Sequence, residues 1–159
     1  MSALLRIVAL CGCALFAAGC QTVQRTVALS QPPPSGDWAV VEVRSGPVGL
    51  DDPQAAMARH GQVIRLEPAL ARSGEDVCVE PHYVVHAIDA AFFLWREAGV
   101  RAADLGLGRR PGARYVEVFC QGRKWRALGG ETLHVDDDHV YAVFHAALYR
   151  LRRLSPPPG

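Results

Sequence analysis

The sequence RYVEVFCQG at residues 114–122 alternates apolar and polar side chains and then reaches a turn signal. Alternation with a period of two places Val116 and Val118 on one face of a β-strand and Glu117 on the other. The closing Gln-Gly pair is typical of a hairpin turn, so a partner strand is predicted over residues 124–128. This stretch therefore predicts an antiparallel hairpin.

Short runs of similar character recur along the chain, each rich in β-branched or aromatic residues and each bounded by turn residues. Their number and spacing predict a mainly β fold of about eight short antiparallel strands, closed or nearly closed into a barrel, with two short helices. An α+β sandwich is the alternative architecture. The predicted strands cover 38–44, 63–67, 77–88 with a break at Pro81, 114–120, 124–128, 132–135, 139–144 and 148–152.

Helix signals occur at two places. Asp52 followed by Pro53 predicts the start of the first helix, and Asp89 and Gly99 bound the second. The second helix, residues 90–98, is apolar around most of its circumference, which predicts burial in the core. The alternatives are a plug at one end of the barrel or a surface that binds a partner.

The N-terminus has the features of a secretory signal. Arg6 precedes an apolar run over residues 7–18, which is as long as a signal-peptide core and too short to span a bilayer. Small residues then lead into Cys20. This stretch resembles the lipobox of bacterial lipoproteins, and the resemblance implies that the Cys20 thiol is diacylated, that the peptide is cut before Cys20, and that the new amine is then acylated. The following Gln21, where an Asp would signal retention, implies an outer-membrane location facing the periplasm. The alternative is an ordinary secretory signal cut nearby, with Cys20 free or disulfide-bonded.

The predicted organisation has four parts: a lipoprotein signal peptide at 1–19, a lipidated Cys and Pro-rich tether at 20–36, a single β-rich domain at 37–154, and a Pro-rich tail at 155–159. The whole chain has 17 Lys and Arg against 16 Asp and Glu. Loss of Arg6 with the signal brings the net charge to about zero, so no electrostatic footprint for nucleic acid is expected. The chain is predicted to be a monomer held on the membrane by its lipid anchor.

The cysteine count reduces to one pair. Cys11 and Cys13 leave with the predicted signal, and Cys20 is the predicted lipidation site. Cys78 and Cys120 remain as an even pair in an oxidising compartment, which predicts a disulfide bond between them. Closing this loop would stabilise the fold by about 4 kcal/mol in the chain-entropy model. A thiol nucleophile or a metal site is the alternative.

Two groups of potential metal ligands are interpreted as structural. His82 and His86 fall on one face of a predicted strand at a spacing of about 13 Å, too far apart to share a metal ion. The Asp run at 136–138, flanked by His134 and His139, lacks the spacing of a calcium loop and indicates a turn.

No sequence pattern indicates catalysis. The serines lack the setting of a nucleophile, and nothing in the sequence pairs the glutamates at positions 67, 80, 117 and 131. The chain is therefore predicted to be non-enzymatic, with no cofactor and no metal.

The remaining candidate is a basic surface patch with an aromatic centre. It combines a cluster after the predicted hairpin with arginines near the C-terminus, provided that the two strands are neighbours. The alternative is the solvated face of two strands. The patch residues are Arg123, Lys124, Trp125, Arg126, Arg150 and Arg152.

These features resemble those of small envelope lipoproteins, and in architecture alone those of membrane-bound lysozyme inhibitors. The resemblance implies a periplasmic, membrane-anchored, non-enzymatic binding module for an envelope protein or a cell-wall component such as peptidoglycan. The alternative is a lipocalin-like barrel that holds a small apolar ligand, since abundant aliphatic residues and many strands are also typical of such carriers.

Overall fold

The computed structural model describes residues 35–45, 52–107 and 112–154. The predicted signal peptide, Cys20, most of the tether and the tail lie outside the described residues. The elements are β1 Gly36–Ser45, α1 Pro53–Met57, β2 Val63–Leu66, β3 Leu70–Ser73, β4 Asp76–Val79, β5 His82–Ile88, α2 Ala90–Ala98, a 3-10 turn Ala102–Leu105, β6 Ala113–Cys120, β7 Arg123–Lys124, β8 Glu131–His134, β9 Val140–Phe144 and β10 Ala147–Arg153.

The prediction of a mainly β fold with two helices is confirmed, but the described strands number ten. All belong to one antiparallel sheet in the order β4-β3-β2-β1-β10-β9-β8-β6-β5, and β7 pairs with β6. Strand β3 was not predicted, because its four residues, LARS, contain no β-branched or aromatic side chain. The predicted break at Pro81 is present, and it divides the predicted strand into the two separate strands β4 and β5; Glu80 in this turn has a φ of 52°.

The predicted closure of the sheet is wrong. The sheet is strongly curled but open, because β4 and β5 form its two edges and do not pair with each other. They follow one another in the chain, yet Pro81 has no N–H to donate and Glu80 turns the backbone in the left-handed region. Instead, the sulfurs of Cys78 on β4 and Cys120 on β6 lie at disulfide distance, as predicted.

The sheet has apolar side chains on both faces because a different layer covers each of them. The concave face is filled by its own strands and by the loop after β7. Its most buried large side chains are Trp38, Val40, Ile64, Leu66, Leu128, Tyr149 and Leu151, each at most 2% exposed. On the convex face, α2 and the 3-10 turn cover part of the second half of the sheet, packing on Leu133, Tyr141 and Leu148.

Helix α2 is held at both ends by the predicted caps. The Asp89 carboxylate accepts a hydrogen bond from the Phe92 backbone N–H, and Gly99 ends the helix with a φ of 63°. The expectation that its aromatic residues are buried holds for one side only. Phe93 is in the core, whereas Phe92 and Trp95 are 57% and 59% exposed. At nine residues, α2 is the longest helix described, and no helix in the described ranges is long and apolar enough to cross a bilayer.

His134 is a buried titratable residue on the concave face. Its side chain is 5% exposed, Nε2 lies 3.0 Å from the Thr132 hydroxyl, and the ring meets Trp38 edge-on. Burial, followed by the charges of Arg114 and Arg153, lowers the pKa of His134 to about 3. The imidazole is therefore neutral in the folded protein at neutral pH.

This burial predicts acid sensitivity. The unfolded chain takes up a proton on His134 near its ordinary pKa of 6.5, whereas the folded chain does so only near 3. The contribution of His134 to the free energy of unfolding is therefore fully present above pH 6.5 and is lost as the pH falls towards 3. Urea unfolding at a series of pH values should show a steeper loss of stability for the unmodified chain than for His134→Gln. Equal slopes for the two proteins would contradict a neutral buried imidazole.

Candidate functional site

An open cleft lies between the segment that joins β7 to β8 and the hairpin that joins β9 to β10. It has a volume of about 310 Å³ and combines charged and aromatic side chains. The lining residues are Lys124, Trp125, Arg126, Ala127, Glu131, Val143, Phe144 and His145. Three of them belong to the basic patch that the sequence predicts.

The first wall of the cleft is a loop fixed to the core. Trp125 is 8% exposed, its backbone N–H donates to the Val118 carbonyl at 2.8 Å, and Ala127 is 4% exposed. Arg126 lies between these two buried residues and is exposed. At Gly130, a Cβ atom would come within 2.0 Å of the Trp125 carbonyl oxygen, so only glycine fits there. The loop therefore presents Arg126 from a rigid base.

The second wall is a tight hairpin with an unusual sequence. His145 and Ala146 both have positive φ values, 48° and 58°, and neither is a glycine or asparagine. Each left-handed residue costs on the order of 1 kcal/mol, and strain of this kind is concentrated at functional sites. The turn sets the His145 ring edge-on against Phe144, 4.2 Å between centroids. The guanidinium of Arg59 lies 4.7 Å from the centroid of the same Phe144 ring.

The floor of the cleft continues into a network of charged side chains on the convex face. Glu117 on β6 and Glu131 on β8 are direct cross-strand partners. Lys124 contacts both, with its Nζ 2.8 Å from a Glu117 oxygen and 2.6 Å from a Glu131 oxygen. The hydroxyl of Tyr115 donates to Glu131 at 2.7 Å, and His86 Nε2 lies 2.9 Å from Glu117. The structure thus corrects the interpretation that nothing pairs these glutamates.

The lysine makes the two facing carboxylates compatible. Two like charges directly opposite one another on a sheet repel, and the ammonium between them offsets that repulsion. Burial alone would raise the pKa of Glu117, but hydrogen bonds from Lys124 and His86 outweigh it and hold this pKa below its usual value. The pKa of Lys124 is raised because its bonds to the two glutamates outweigh its burial. The positive charge of the Lys124 ammonium is therefore balanced by the two carboxylates.

The predicted patch is not assembled as the sequence analysis supposed. The segment with Arg123 and Lys124 pairs with β6, whereas β10, which has Arg150 and Arg152, pairs with β1 and β9. The two strands are not neighbours, and Trp125, the expected aromatic centre, is part of the core. Arg150 lies 3.9 Å from Glu42, and Arg152 is exposed opposite Ala39.

The two groups of potential metal ligands lie on a strand and in a turn, as predicted. His82 and His86 are on the outer side of β5, and the bond of His86 is to Glu117. Asp136 accepts hydrogen bonds from the backbone N–H groups of residues 138 and 139, which makes the Asp run a turn. Within the ranges that the structure describes, no group of three or more His, Cys, Asp or Glu side chains could hold a metal ion.

Arg126 is the exposed arginine that lines the cleft. No carboxylate among the described residues lies within ion-pair distance of it, whereas Lys124 beside it is already paired.

No protein-family model matches the chain, and no curated protein or solved structure shows significant similarity to it.

Proposed function

We propose that the chain is a membrane-anchored envelope lipoprotein whose cleft binds a carboxylate-bearing partner without catalysing a reaction. The partner is a cell-wall component with free peptide carboxylates or an acidic segment of an envelope protein. The observation that carries this proposal is the exposed Arg126 on a rigid loop, with Phe144 and His145 lining the same cleft. Arginine pairs with carboxylates through two parallel hydrogen bonds, and an adjacent aromatic ring adds apolar contact.

The filling of the concave face favours this proposal over the lipocalin-like carrier. A carrier needs a cavity inside its curled sheet, whereas Ile64, Leu66 and Tyr149 occupy the concave side and are at most 1% exposed. The cleft lies instead between the segment that joins β7 to β8 and the hairpin that joins β9 to β10. The membrane anchor is supported by the lipobox-like stretch before Cys20.

A matched pair of arginine variants tests the site. Replacing Arg126 by Gln should weaken binding of soluble cell-wall fragments with free stem-peptide carboxylates by about fivefold or more, because a charge-assisted pair is lost. Arg152→Gln should leave the affinity unchanged, since Arg152 belongs to the predicted patch but does not line the cleft. Isothermal titration with the same fragments gives both values. Equal losses in the two variants, or no binding by the unmodified chain, would contradict a cell-wall ligand in this cleft.

A second experiment tests whether the partner is an envelope protein. If the fragments do not bind, a photoreactive crosslinker placed at position 145, on the wall of the cleft opposite Arg126, should capture an acidic envelope protein, and one placed at position 152 should not. Failure of both experiments would overturn the cleft as a binding site.

A further inference from the structure

A second open groove lies on the convex face of the first half of the sheet. It has a volume of about 350 Å³ and lies across β1, β2 and β3. The lining residues are Asp37, Gln62, Val63, Arg65, Arg72 and Gly74. None of these residues lines the cleft described above.

The strand register places three charged side chains in one row across this groove. Asp37 is the cross-strand partner of Arg65, and Arg65 is that of Arg72. The residues on either side of Arg65, Ile64 and Leu66, are buried, so alternation directs Arg65 outward. Two arginines thus face each other directly, which repels unless an anion lies between them.

Asp37 holds only the first arginine. Its two carboxylate oxygens accept hydrogen bonds from Nε and one terminal nitrogen of Arg65, at 2.7 and 2.9 Å. This pairing lowers the pKa of Asp37 and raises that of Arg65. The bidentate contact fixes the guanidinium plane and leaves its other terminal nitrogen unused by Asp37. Glu67 lies 3.8 Å from the same Nε, so two carboxylates pair with Arg65, and the positive charge in the row that no carboxylate pairs is that of Arg72.

Arg72 is the arginine without a counter-ion. Its Nε donates to the Gly74 carbonyl at 3.2 Å, which orients the side chain, and no carboxylate among the described residues is within ion-pair distance. The neighbouring Gln62 is also held in place, since its amide nitrogen donates to the Ser73 hydroxyl at 2.9 Å. The terminal nitrogens of Arg72 are therefore free to bind an oxyanion.

We propose that this groove binds a phosphate group between Arg65 and Arg72. Planar guanidinium groups match phosphate oxygens through paired hydrogen bonds. Two guanidinium groups together suit a doubly charged phosphate better than they suit a singly charged carboxylate. The phosphate belongs either to a free phosphorylated molecule or to an anionic lipid headgroup. The second source is physically close if Cys20 is acylated, because Asp37 directly follows the predicted tether.

The test begins with inorganic phosphate and the purified chain at constant ionic strength. NMR titration should give saturable shifts of the Arg65 and Arg72 Nε–H signals and of the Gly74 amide. Arg72→Gln should weaken this binding by roughly tenfold, since hydrogen bonds to a charged group are lost. Arg96→Gln, the same change on exposed α2, should have no effect. Non-saturable shifts, or equal weakening by both variants, would overturn the site.

Vesicles then distinguish the two sources of phosphate. Binding to phosphatidylglycerol vesicles that exceeds binding to phosphatidylcholine vesicles, and that is lost in Arg72→Gln, assigns the groove to a lipid headgroup. Saturable binding of inorganic phosphate without this preference assigns it to a free phosphorylated ligand. Absence of binding in both experiments overturns the proposal. Arg72→Lys, which keeps the charge, should recover part of the affinity and shows that loss in the Gln variant is not a folding defect.

Discussion

Replacing both Cys78 and Cys120 by alanine should lower the free energy of unfolding by about 4 kcal/mol, the largest effect on stability that we expect from any change in the domain. The two sulfurs join β4, an edge strand of four residues, to β6 near the opposite edge. Among the described strands, β4 pairs only with β3, and its Val77 and Val79 are 50% and 65% exposed. Little apolar burial therefore holds this edge without the crosslink.

Urea unfolding at equilibrium measures this change. In the unmodified chain, a reducing agent should shift the midpoint to the value of the double alanine variant, and it should have no effect on that variant. Amide hydrogen exchange should show the greatest loss of protection in β3 and β4. An unchanged unfolding midpoint in the double variant would show that the crosslink does not stabilise the open edge.

Replacing Cys20 by alanine should move the protein from the membrane fraction to the soluble fraction almost completely. Each buried acyl methylene contributes roughly 0.8 kcal/mol, so two or more chains hold a domain on a bilayer essentially permanently. Cell fractionation and mass spectrometry of the N-terminal peptide give the measurement. We expect an acylated Cys20 in the unmodified protein.

Cys13→Ala is the matched control, because this cysteine belongs to the predicted signal and should not be acylated in the mature protein. Its fractionation should equal that of the unmodified chain. An unmodified protein that is already in the soluble fraction, or an N-terminal peptide without acyl groups, would favour the ordinary secretory signal instead.

The fold was predictable where the pattern is local. The strand at 114–120 and both helix caps follow from alternation and from Asp or Gly at the ends. The break at Pro81 was visible in the sequence, but its consequence for the barrel was not, because closure depends on whether β4 pairs with β5. The turn at Glu80 and Pro81 prevents that pairing, although it is only two residues long.

The candidate site was predictable only in part, because it depends on which strands are neighbours. Lys124 and Arg126 were singled out from their charge, and both line the cleft. That Glu117 and Glu131 face each other could be predicted only from the register between β6 and β8, which the sequence does not show. The His145 turn gave no signal, since neither of its central residues is among those that tight hairpins favour.

The measurement that tests the account most directly is an amide NMR titration of the chain with a soluble cell-wall fragment that has free stem-peptide carboxylates. The account predicts saturable shifts at 124–131 and 143–146, on the two walls of the cleft, and loss of these shifts in Arg126→Gln. Shifts confined to residues of the concave face outside these two segments, such as Ile64, Leu66 and Tyr149, would contradict it and favour a ligand held inside the curled sheet.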